Sequence, residues 1–106
     1  MSEFVISGWF EYGEHRDAVL TAFVECARRS REESGCLDYW VAADPERPGR
    51  LYVFERWTSE ADLVEHFATA QVADFRAAVS AYPRTERSVH RYFVSGSEEF
   101  QSSRVS

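Results

Sequence analysis

The sequence predicts an α+β domain in which four antiparallel strands form one sheet and helices cover one of its faces. Three observations predict it. Four short runs rich in aromatic and β-branched residues alternate in the manner of strands, at 4–12, 37–44, 50–57 and 86–94. Two longer stretches, 15–34 and 59–82, switch to helical spacing. Breakers stand at the joints: Gly13, Gly35, the run PERPG and Pro83.

The first run, FVISGWFEY, ends at Gly13. From 15 to 34, Val19, Ala22, Phe23, Cys26 and Ala27 recur at helical intervals, while Arg28, Arg29, Arg31, Glu32 and Glu33 mark a polar side, and Gly35 is a natural helix stop. LDYWVAAD and RLYVFERW are strands joined through PERPG, whose prolines and glycine fix a turn, so the pair predicts an antiparallel hairpin. Ser59 is placed to cap the next helix, with Asp62 reaching back, and that helix runs to about Ala68. A second piece from about Ala70 to Tyr82 spaces Val72, Phe75, Arg76 and Val79 before Pro83 ends it. The run ERSVHRYFV is the last strand. The order βαββαβ, with its second helix in two pieces, is ferredoxin-like. Residues 1–95 form this one domain, and 96–106 read as a polar C-terminal tail.

Strand alternation adds a partner. In 4–12 the even positions carry Phe4, Ile6, Gly8, Phe10 and Tyr12 and the odd ones Val5 and Trp9; in 50–57 one face carries Leu51, Val53 and Trp57 and the other Tyr52 and Phe54. Both faces are apolar, yet helices cover only one. Pairing the second face with another copy of the chain, sheet against sheet, is the simplest solution, so a homodimer is expected.

With 106 residues, 12 basic against 18 acidic side chains and a net charge of -6, the chain has no basic stripe, and nucleic acid is not an expected partner. All 12 basic residues are arginine, a composition bias and not in itself a functional signal. No apolar run approaches a membrane span or a signal peptide, so no membrane association is expected. Cys26 and Cys36 have neither zinc-site nor C-x-x-C spacing and read as free thiols of a cytoplasmic protein. Nucleotide-binding glycine motifs and histidine–carboxylate clusters for a metal are missing from the sequence.

The segment SREESGCLDYWVAADPERPGRLYVFERWTSEADLVEHFAT, Ser30 to Thr69, resembles the antibiotic biosynthesis monooxygenase family of dimeric α+β barrels. The matching pieces are a helix ending in EESGCLDY, the hairpin ADPERPGRLYVFERW and the helix SEADLVEHFAT. The resemblance implies oxygenation without metal, flavin or nicotinamide: a deprotonated electron-rich quinol, anthrone or polyketide-like aromatic reduces dioxygen itself, and the protein supplies an apolar pocket, a proton acceptor and hydrogen-bond donors. A ligand-binding protein without chemistry, or an isomerase or cyclase on the same barrel, is the alternative. The heme-degrading branch uses an asparagine in its first strand, where VISGW offers Ser7, which points away from that activity.

The resemblance also implies site residues. Trp57 corresponds to an aromatic that stacks on a flat substrate and His66 to a residue that handles a proton. A second histidine, frequent five residues later, is replaced by Gln71, which cannot take a proton. On the residues alone, Trp57 at a strand end is a core tryptophan, and His66, at the margin of the stripe Leu63, Val64, Phe67 and Ala68, is a boundary residue that a cleft could reach. Histidine is nonetheless suited to proton transfer near neutral pH. Glu55 shares a strand face with Trp57, so it either lies in an apolar wall with a raised pKa, a second candidate base, or forms a rim salt bridge with Arg56. Tyr39, Tyr52 and Ser7 are candidate hydrogen-bond donors. His15 and His90 read as surface residues.

Overall fold

The computed structural model describes residues 3–101, so the last part of the 96–106 tail lies outside the described residues. The elements are β1 (Glu3–Glu11), a 3-10 turn (Gly13–His15), α1 (Arg16–Ser30), β2 (Cys36–Ala43), β3 (Arg50–Trp57), α2 (Glu60–His66), α3 (Ala70–Val79) and β4 (Glu86–Val94). The strands form one antiparallel sheet in the order β2-β3-β1-β4, the ferredoxin-like arrangement.

Register sorts every strand residue onto a face, because paired residues share a side. Phe4 pairs with Trp57, Ile6 with Glu55, Gly8 with Val53 and Phe10 with Leu51. Tyr39 pairs with Glu55, and Arg91, Val89 and Arg87 pair with Ile6, Gly8 and Phe10. This is the helix-covered face. Its core of Phe4, Tyr12, Tyr39, Leu51, Val53 and Trp57 packs on Val19, Phe23 and Ala27 of α1 and Leu63 of α2. Phe23 of α1 and Phe75 of α3 meet at 4.4 Å between ring centroids and tie the two helices together.

The opposite face carries Val5, Ser7, Trp9, Asp38, Trp40, Tyr52, Phe54, Arg56 and Tyr92, and no helix lies on it among the described residues. Trp40 and Phe54 stack at 5.3 Å, and the Arg50 guanidinium sits 3.5 Å above the Trp9 ring. Arg56 is not paired with Glu55: it bridges Glu3 and Asp38 across three strands, at 2.8 and 3.2 Å. Trp40 and Tyr92 remain about half exposed.

Local chemistry explains the joints. Asp44 Oδ1 accepts from the Glu46 and Arg47 amides and closes the hairpin turn. Ser59 Oγ accepts from the Asp62 amide, capping α2 as the sequence predicts. Two details differ. α1 ends at Ser30, four residues before the predicted limit, and 31–35 is a turn held by the Cys36 amide on the Glu33 carbonyl and by Arg31 Nε on the Tyr39 carbonyl. Gly35 is therefore not a helix stop. It is buried, its carbonyl accepts from the Thr58 amide, and a Cβ there would collide with the Asp62 side chain. Gly35→Ala is expected to destabilise the fold by about 1–3 kcal/mol, read by urea denaturation, because overpacking at this contact displaces the α2 cap; an unchanged midpoint would show that the contact is slack.

Candidate functional site

Four elements converge under the helix-covered face. His66 is the last residue of α2, one turn after Leu63, and both side chains are buried. Glu33 comes from the turn after α1, Glu55 and Trp57 from β3, and Gln71 from the first turn of α3. His66 Nδ1 lies 2.8 Å from Glu33 Oε2. Gln71 Nε2 donates to the same Glu33 oxygen at 2.9 Å and to Ser30 Oγ at 3.4 Å. On the other side, His66 Nε2 is 3.9 Å from Glu55 Oε1, and Trp57 Nε1 donates to that oxygen at 3.1 Å. The Trp57 and His66 rings are 4.6 Å apart, and Tyr39 meets His66 edge-on at 5.6 Å.

A carboxylate only accepts, so Glu33 assigns the hydrogen of a neutral His66 to Nδ1 and leaves the Nε2 lone pair facing Glu55. Glu55 is 6% exposed. Burial pushes its carboxyl up to about 7, against the bonds from Trp57 and Tyr39, which favour the charged form; the nearby Glu33 charge adds to the rise. Burial also raises the Tyr39 phenol, with the Glu55 charge second. The Cys26 thiol is raised by burial, and burial first and then the Glu33 charge push Cys36 up to about 11, so neither is a thiolate near neutral pH. The two cysteines are unpaired.

Glu55, His66, Tyr39 and Cys26 open onto a cavity of about 530 Å³ between the sheet and α3, walled chiefly by aromatic and aliphatic side chains such as Ile6, Phe10, Phe23 and Phe75. That size suits a small organic molecule. Among the described residues no three His, Cys, Asp or Glu side chains are grouped to hold a metal ion.

The predicted site residues divide three ways. His66, Glu55 and Tyr39 meet at the cavity wall. Trp57, fully buried, stands behind His66 and Glu55, is not part of the cavity wall, and donates to Glu55. Ser7 is a correction: paired with Phe54 and His90, it lies on the opposite face of the sheet and cannot donate into the cavity. His66 is 2% exposed, deeper than a boundary residue, whereas Val64 and Phe67 of the supposed stripe are largely exposed. Of the residues read as surface, His15 is half-buried against Tyr82 at 5.0 Å. The sequence reading missed Glu33, placed on a helix's polar side, and the role of Gln71, which here orients Glu33.

The fold and this chain's central segment agree with known proteins. Residues 12–78 match the family model of antibiotic biosynthesis monooxygenase, and the chain belongs to that family. Among solved structures, a Deinococcus radiodurans protein named for the same family superposes with a TM-score of 0.80 at 23% identity, covering 92% of this chain and 98% of that one. A Chloroflexus aurantiacus protein, also named for the family, gives 0.78 at 25% identity with the same coverage of 92% and 98%. A conserved Bacteroides thetaiotaomicron protein of unknown function gives 0.78 at 20%, covering 87% and 97%. No protein of curated function matches the chain significantly. No helix among the described residues is long and apolar enough to cross a membrane.

The raised Glu55 pKa has a thermodynamic signature. The native state keeps this proton to about pH 7, while the ordinary carboxyl value is 4.5. Between those values the native state binds more protons than the unfolded chain, so this residue's contribution to unfolding free energy falls as pH rises, by on the order of 3 kcal/mol in total. Glu55→Gln keeps an acceptor for Trp57 and removes the titration. The stability difference between variant and parent is expected to shift in the variant's favour from pH 4.5 to 7.5; a difference flat with pH would place Glu55 in contact with water.

Proposed function

We propose that the protein is a cofactor-independent monooxygenase acting on a small electron-rich aromatic, a quinol or anthrone, with His66 as the proton acceptor. The observation that carries this reading is the His66 imidazole held between two carboxylates at the wall of an apolar cavity.

The chemistry follows from the charges. A phenolic or benzylic proton passes to His66 Nε2. The resulting imidazolium is stabilised by Glu33 on Nδ1 and by Glu55, 3.9 Å from Nε2. The substrate anion that remains gives one electron to dioxygen; the radical and superoxide combine into a peroxide, and proton return from His66 helps eliminate water. For an anthrone methylene the sum is CH2 plus O2 giving C=O plus H2O, with both reducing electron pairs drawn from the substrate. The buried carboxyl of Glu55, poised near neutrality, is the second group able to take up or return a proton. Gln71, in place of a second histidine, serves this scheme by fixing Glu33, and Trp57 by fixing Glu55.

We also propose that the unit is a homodimer, with the half-exposed Trp40 and the Trp9, Tyr52 and Phe54 side chains of the open face buried against a second copy, in a cytoplasmic setting. Trp40→Arg is expected to shift sedimentation to the monomer; an unshifted dimer would place the interface elsewhere.

An oxygen electrode tests the reaction. Purified protein should consume oxygen with at least one quinol or anthrone without added metal or flavin, and His66→Ala should lower kcat by about 10²–10⁴-fold. Ligand binding without oxygen uptake would favour a binding protein, and a product of unchanged oxygen content an isomerase or cyclase.

A further inference from the structure

The cavity is electrically polarised along its length. At one end stand Glu55 and His66, with Glu33 behind. At the other end and along the open β4 side, its wall includes Arg76 from α3, Arg84 before β4, and Arg87 and Arg91 on β4. Four of the chain's 12 basic residues thus face one cavity in a protein whose net charge is -6.

Their pairing separates this from the arginine-rich composition. Among the described residues Arg16, Arg28, Arg29, Arg50, Arg56 and Arg91 each hold a carboxylate. Arg76, Arg84 and Arg87 hold none of the described carboxylates, a state shared among the other described arginines by Arg47 and by Arg31, which donates to the Tyr39 carbonyl, although acidic residues outnumber basic ones by 18 to 12. Arg84 leans over the Phe10 ring at 5.8 Å, and Phe10 is also cavity wall, so its guanidinium overhangs the apolar floor.

Register gives the scale. Glu55 and Arg91 both pair with Ile6, so their backbones are two strand spacings, about 10 Å, apart. Arg87 is four residues, about 13 Å, further along β4. A flat molecule of two or three fused rings spans much of that diagonal.

We infer that the ligand of this cavity is an aromatic acid whose carboxylate is held at the rim by Arg84 and Arg87, supported by Arg76, with its opposite edge directed to His66 and Glu55. The orientation follows from the charges, since a carboxylate entering first would meet Glu55 at the wall, with Glu33 behind His66. Guanidinium forks match a carboxylate with paired N–H donors, and their partial exposure makes the attraction sensitive to salt. The inference rests on the proposed function only in taking this cavity as the ligand site.

Calorimetric titration with 2-naphthoic acid and 2-naphthamide, which share rings and shape and differ in charge, tests it. The acid is expected to bind about tenfold more tightly at low ionic strength, with the ratio shrinking as salt is added. The double variant Arg84→Gln, Arg87→Gln should remove the preference by weakening acid binding far more than amide binding; both positions are exposed, so the variant is expected to fold, which circular dichroism checks. Equal affinity for the two probes, a preference that survives the double substitution, or no binding of either at millimolar concentration would overturn it. Acid preference without oxygen uptake from any quinol or anthrone would sink the oxygenase and leave this assignment standing; oxygen uptake without acid preference would do the reverse.

Discussion

The hydrogen bond between His66 and Glu33 organises the helix-covered side of the molecule. An imidazole that is 2% exposed is costly to bury unless its nitrogens are satisfied. Glu33 satisfies one of them, and the requirement propagates outward. Glu33 reaches His66 because 31–35 is a turn, not helix. The turn packs against the start of α2 because Gly35 has no side chain to strike Asp62. Gln71 and Ser30 complete the network, so the end of α1, the end of α2 and the start of α3 are joined at one polar point. Among the described residues no buried side-chain nitrogen or oxygen is left without a partner.

That polar point lies inside an aromatic enclosure. Trp57 and Tyr39 exclude water from His66 and Glu55, which raises the Glu55 carboxyl and strengthens each electrostatic contact around the imidazole. The same sheet has an unlike second side. There the ion pairs of Arg56 with Glu3 and Asp38 lie among exposed aromatics, a mixed surface of the kind proteins use against one another. One sheet thus presents two unlike faces by side-chain alternation alone.

Much of the fold was legible. The sequence predicts β3 at 50–57, where it stands, and the alternation Leu51, Val53, Trp57 against Tyr52, Phe54 matches its two faces. The face of Glu55 follows from that alternation, but the alternation alone does not choose between an apolar wall and a rim salt bridge with Arg56; the pairing of Arg56 with Glu3 and Asp38 does. His66 was harder, because α2 has only seven residues and a stripe is poorly defined over two turns. Phe67 and Ala68 were counted into it, but the chain has already left the helix there and turns toward α3. Glu33 was not legible as a partner: its contact lies 33 residues away and depends on α1 ending early, which no strong breaker before Gly35 announces. Ser7 was misplaced because its neighbours on both faces of β1 are apolar, so composition could not tell the sides apart; the pairing with Phe54 does.

Glu33 sets the hydrogen of His66 on Nδ1 and leaves the Nε2 lone pair facing Glu55. Imidazole ¹⁵N chemical shifts report this directly, recorded where the ring is neutral, in the parent protein and in Glu33→Gln. The structure predicts a single Nδ1–H tautomer in the parent and its loss or mixing in the variant. A parent ring carrying its hydrogen on Nε2, or one indifferent to Glu33, would contradict the account.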